Sequence, residues 1–166
     1  MPIVSADIRF RLSGGASNSV HAASIGGAKS SVEADPALLF PTVQSAEAAA
    51  GSVKYRCEYI HNAHPTLTML AAKAWLQSNT PSPDTALDIG VGAAAVNATE
   101  TAIANEDTAP AGVTFVAAAN EAGAVNLGDI PPGQHRAVWV RRTVNAGAAA
   151  YTNDGATLRV KCDTLA

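Results

Sequence analysis

His61 and His64 stand as His-x-x-His, a spacing that converges on a metal ion when a helix carries it. Here the pair follows a strand-like stretch and precedes Pro65, and no cysteine or carboxylate beside them completes a ligand set. Two turn histidines are the expectation. The Gly26-Gly27-Ala28-Lys29-Ser30 run has the outline of a phosphate loop, but alanine occupies both position 23, where the first glycine belongs, and the position before the lysine. Backbone donors could not wrap a phosphate there. Glu100, Glu106 and Asp107 share a polar stretch without the alternating Asp/Asn pattern of a dedicated calcium loop. His21 and His135 are isolated, and no Gly-x-Ser-x-Gly elbow offers a hydrolase nucleophile. The chain is therefore not expected to be an enzyme, nor to carry a metal or another cofactor.

Cys57 and Cys162 are too far apart in sequence for a C-x-x-C redox or zinc motif. Both fall in strand-like stretches among apolar residues of the same parity. Two reduced core thiols are one reading, and a disulfide between packed strands is the other.

The aromatic and cationic residues point to binding. Trp139 shares its parity with Ala137, Arg141 and Thr143, opposite Val138, Val140 and Val144, while Trp75 lies on the side of Lys73 and Gln77. Tryptophan and arginine on an otherwise polar sheet face are what protein interfaces enrich. Arg9, Phe10, Arg11, Trp139 and Arg141 are accordingly the candidate protein-interface residues. The competing expectation is that both indoles pack inside the fold.

The elements that must position these residues are strands. Residues 136–144 alternate with period two after the Pro131-Pro132-Gly133 reversal, which predicts a strand with one buried face. Ile8, Phe10 and Leu12 alternate with Arg9 and Arg11. In 53–60, Val53, Tyr55, Cys57 and Tyr59 share one side, and Lys54, Arg56 and Glu58 the other. Residues 66–77 switch parity, which a bulge near Met69 would reconcile. Further strands are expected at 85–91 and at Leu158, Val160 and Cys162, and short ones around 102–104 and 113–116. A helical turn at 46–50 should end at Gly51.

Seven to nine strands with no sustained 3.6-residue pattern predict an all-β, antiparallel β-sandwich, immunoglobulin-like or jelly-roll-like, with residues 1–166 as a single domain. Residues 13–31, rich in Gly, Ser and Ala, are expected as an extended Gly/Ser-rich N-terminal arm or long loop. Its deletion is expected to spare the sandwich. Apolar residues make up 48% of the chain, but 36 are alanines and only 5% of the chain is aromatic, so the core should be thin and should gain from a partner surface.

Charge narrows the partners. The formal net charge is −3, and the close arginines Arg136, Arg141 and Arg142 lack interleaved aromatics, so no nucleic acid is expected. No apolar run approaches the roughly 18 residues of a membrane helix, and the first dozen residues lack a secretory pattern, so neither membrane nor export is expected.

The run 127–151, from Leu-Gly-Asp-Ile-Pro-Pro-Gly-Gln-His-Arg to Ala-Ala-Tyr, with 153–160 (Asn-Asp-Gly-Ala-Thr-Leu-Arg-Val), resembles the carboxy-terminal half of small virion structural proteins of tailed bacteriophages and prophages. The opening Phe-Arg-Leu-Ser-Gly-Gly-Ala-Ser-Asn-Ser of 10–19 and the Ser-Ile-Gly-Gly-Ala of 24–28 are similar to the start of the same proteins. The resemblance implies a capsid decoration or minor capsid protein, or a tail-associated subunit, assembled into the virion in the bacterial host cytoplasm. It implies the major capsid protein or other virion subunits as partners, and a homo-oligomer, dimer or trimer, at symmetry axes. The alternative from another class is a carbohydrate-binding β-sandwich whose Trp75 and Trp139 stack on sugar rings.

Overall fold

The computed structural model describes residues 2–164. Among these residues seven strands run in the order β1 (Ile8–Leu12), β2 (Ser52–Asn62), β3 (Met69–Ser78), β4 (Thr85–Val91), β5 (Val125–Ile130), β6 (His135–Val144) and β7 (Thr157–Asp163), with one short α-helix, α1 (Ser45–Ala50), before β2 and four single 3-10 turns in the loops. They form two antiparallel sheets, ordered β1-β2-β6-β4 and β5-β3-β7. β2 and β6 form the spine of the larger sheet, in register from Ser52 opposite Val144 to His61 opposite His135.

The two sheets share one apolar layer. Ile60, Ile89, Val138 and Val140 from the larger sheet meet Met69, Ala74, Leu76, Leu127 and Ile130 from the smaller. Leu158, Val160 and Cys162 of β7 pack against that layer at its margin, as their alternation requires. The parity switch in β3 is a double register shift between Met69 and Lys73, with Ala71 at φ 45° and its N–H donated to Asp129 Oδ1 at 2.8 Å. α1 stops where expected: Gly51 at φ 76° donates its N–H to the Glu47 carbonyl.

The expectation of one buried face for β6 is corrected. Its second face carries another core, in which Tyr55, Cys57, Tyr59, Ala137 and Trp139 pack with Ile103, Val113 and Phe115. The cover is the polar, Ala-rich stretch 93–116. That stretch forms no strand around 102–104, and Val116 makes only a single bridge to Ile89, on the free edge of β4.

Residues 13–31 are not an extended arm. They make a long loop closed against β2, with Ser13, Ser24 and Ser30 fully buried. Ser13 Oγ donates to the Cys57 carbonyl at 2.7 Å, the Cys57 N–H donates to the Ser24 carbonyl, and the Gly27 N–H donates to the Glu100 carbonyl. Hydroxyls and backbone amides, rather than apolar side chains, bind this segment to the sheet. Residues 30–34 then run along β1, with Ser30 and Ala34 donating to Leu12 and Phe10 and Val32 accepting from Leu12. Both thiols are free. Cys57 lies in the outer core and Cys162 on the other sheet, so the disulfide reading is set aside.

Candidate interaction surface

An apolar cleft of about 1090 Å³ opens at one end of the two sheets. It is lined by Leu76 and Leu158 from the smaller sheet and by Leu87 and Val140 from the larger. One wall is the segment from Pro36 to Ala49. Pro36 fixes the first turn there, and the Asp35 carboxylate accepts the Ala37 N–H at 2.9 Å. The opposite wall is residues 147–156. Gly147 and Ala148 donate to the Ala48 carbonyl, Ala149 donates to Asp84 Oδ2 at 3.1 Å, and Asp154 accepts from the Ser82 N–H and the Thr85 hydroxyl.

Arg142 braces the cleft from below. Its Nη1 donates to the Pro41 carbonyl at 2.6 Å and its Nη2 to Glu47 Oε1 at 2.8 Å, while its guanidinium lies 4.9 Å from the Phe40 ring centre. Arg56 approaches the same ring at 5.6 Å and pairs with Glu106, which also takes Lys54 at 2.8 Å. Burial alone would raise the Glu47 pKa, but Ser52, Arg142 and Lys54 together hold it below the usual carboxylate value. The rim is apolar and open. Tyr151 is 53% exposed, and Leu38, between the lining residues Ala37 and Leu39, is 58% exposed.

A second assembly lies on the outer face of the larger sheet, at the other end. Arg9 of β1 is level with His61 of β2, which is level with His135 of β6; one row along, Arg11 is level with Tyr59, which is level with Ala137. These residues share one parity and one face. The Tyr59 hydroxyl donates to the Gly27 carbonyl at 2.7 Å, which places Lys29, two residues on, beside the row of basic groups. The Tyr59 ring meets His135 edge-on at 4.7 Å. Burial raises the Tyr59 pKa to about 12 and, with Lys29 and His61, lowers that of His135 to about 4.

The candidate interface residues divide. Arg9 and Arg11 sit on this outer face and share Glu33, at 2.9 and 3.7 Å. Phe10 turns the other way, half-buried against the inter-sheet core. Arg141 pairs with Asp88 at 2.6 Å and covers the Phe115 ring at 5.1 Å. Trp139 is not a surface residue: it is 0% exposed at the centre of the outer core, because residues 93–116 cover it. Trp75 is also buried, beneath the Arg159 guanidinium at 5.8 Å.

The other motifs have structural employment. His64 Nδ1 accepts the N–H groups of Thr66 and Leu67, a turn role. The Gly26–Ser30 run binds the sheet through Gly27, and Glu100 spends its carboxylate on the Ala93 and Ala94 N–H groups at 3.2 and 3.1 Å. Sequence reasoning missed the cleft, whose walls are two Ala-rich segments without periodicity. It also missed the basic row; the paired alternation of β1 and β2 would have placed Arg9 beside His61 once their register was known. Comparison with family models, curated proteins and solved structures finds no match.

Proposed function

We propose that this chain is a non-enzymatic virion structural protein of a tailed phage, a decoration or minor capsid protein that stabilises the head through subunit contacts. Its sheets form a β-sandwich of the immunoglobulin-like or jelly-roll-like kind. Its partners are the major capsid protein or other virion subunits, and it works as a dimer or trimer in the virion after assembly in the host cytoplasm. The observation that carries the reading is the cleft: a large apolar opening, braced by the Arg142–Glu47 pair and rimmed by exposed Leu38 and Tyr151, supports a role in receiving an apolar segment of another subunit. The alternating strands and the resemblance of 127–160 to small virion proteins agree with it. The sugar-binding alternative required accessible indoles, and both tryptophans are buried.

The test is titration of the purified protein with phage heads that lack it and, separately, with cell-wall glycans. Saturable binding to heads is expected, weakened by Leu38→Asp and Tyr151→Asp without a matching loss in melting temperature. Saturable glycan binding by a free monomer, with no binding to heads, would overturn the reading.

A further inference from the structure

Arg9, Arg11 and Lys29 bring three fixed positive charges to one corner of the larger sheet, in a chain whose formal net charge is −3. Glu33 is the carboxylate that answers them, and it binds Arg9 and Arg11. Lys29 has no carboxylate partner among the described residues; its ammonium makes one long contact, 3.4 Å, to the Ser30 carbonyl. Each of the groups beside it presents a nitrogen that is buried and unpartnered: Arg11 Nε, His61 Nδ1 and His135 Nδ1. His61 uses its other ring nitrogen on the Gly133 carbonyl at 3.2 Å.

Cations crowded together are unfavourable unless an anion joins them. The mutual pressure is visible. Burial and then Arg11 lower the Lys29 pKa; burial, Lys29 and Arg11 lower that of His61; and burial, Lys29 and His61 lower that of His135. A cation in this corner would meet the same repulsion, which turns the two histidines away from metal binding and toward an anion.

We propose that Arg11, Lys29, His61 and His135 form a binding site for a single oxyanion, a carboxylate or phosphate group. Lys29 and Arg11 supply the fixed charge, and the two imidazoles become donors when the anion raises their proton affinity. Tyr59 sets the geometry by holding the Gly27 end of the Lys29 loop and the flank of the His135 ring. The site stands on this geometry alone and does not depend on the particle reading. If that reading also holds, the oxyanion is an acidic side chain of a neighbouring subunit; otherwise it is a free ion.

The experiment is a histidine-labelled NMR titration of the whole chain with inorganic phosphate and with acetate, against sodium chloride at matched ionic strength. Saturable shifts of His61 and His135 are expected with both oxyanions, with tighter binding at pH 6 than at pH 8 and an upward move of the His135 titration midpoint. Lys29→Gln, which removes the charge but keeps a polar side chain, should weaken binding roughly tenfold or more, as loss of a charge-assisted bond predicts. Shifts equal to those in chloride, or oxyanion binding unchanged in Lys29→Gln and Arg11→Gln proteins with native-like spectra, would overturn the site. Adding the same phosphate to the head-binding assay separates the two sources: competition identifies a subunit carboxylate, and undisturbed head binding with saturable phosphate shifts identifies a free ion.

Discussion

Tyr59 and Glu100, 41 residues apart, meet hydroxyl to backbone: the Glu100 N–H donates to the Tyr59 oxygen at 2.8 Å while that hydroxyl donates to the Gly27 carbonyl. One side chain from the middle of β2 thus ties down both segments that cover the outer face. Tyr59→Phe leaves the ring in place and strips partners from two backbone groups, so it should cost about 1–3 kcal/mol. A lowered urea midpoint at unchanged slope is the expected reading; an unchanged midpoint would show that the covering loops hold without it.

Trp139→Ala should act on stability, in contrast to the assembly role its sequence position suggested. A fully buried indole packed in the outer core leaves a cavity on truncation, at a cost of about 3–5 kcal/mol. Equilibrium unfolding of the isolated chain measures this directly, and a loss under 1 kcal/mol would contradict the burial.

Excising 13–31 should unfold the protein or melt it at much lower temperature. The segment satisfies the Cys57 carbonyl and N–H and covers the Tyr59 hydroxyl, so its removal leaves buried polar groups without partners. A truncated chain with native-like near-ultraviolet circular dichroism and melting would restore the picture of a dispensable arm.

Buried Glu58 and half-buried His135 pull the pH dependence in opposite directions. Burial raises the Glu58 carboxyl from 4.5 to about 7. The folded state then keeps a proton that the unfolded chain releases, so this contribution is whole below pH 4.5 and declines as pH rises to 7, by about 3 kcal/mol in total. His135 is depressed from 6.5 to about 4, so stability is intact above pH 6.5 and falls as acid protonates the unfolded chain first. Chemical denaturation from pH 4 to 8 should show Glu58→Gln gaining on the parent chain above pH 5, and His135→Asn gaining below pH 6. Parallel curves for either variant would remove that group from the account.

Most strands were readable because they carry a period-two pattern on at least one face, as in Leu158, Val160 and Cys162 or Leu87, Ile89 and Val91; β5 was missed, since Gly128 at φ 77° puts Leu127 and Ile130 out of step. The second core was not, for a physical reason. Arg141 and Thr143 extend the Ala137–Trp139 parity beyond the covered zone, so the series reads as mixed although half of it is buried. Residues 93–116 gave no sign of being a lid, since only Ile103, Val113 and Phe115 of that polar stretch touch the apolar groups beneath. The cleft and the basic row depend on which segments meet across the fold, information held in register rather than in any local spacing.

The fate of the sheet borders has a consequence for crowding. Residues 30–34 seal the outer rim of β1, and Val116 bridges to that of β4, while the terminal strand β7 of the smaller sheet sets Arg159 and Lys161 along its outer side. Backbone-to-backbone zippering between copies is thereby obstructed along the larger sheet, while β5 and β7 remain the edges of the smaller one. Densely packed copies should therefore meet across the larger sheet through side chains alone.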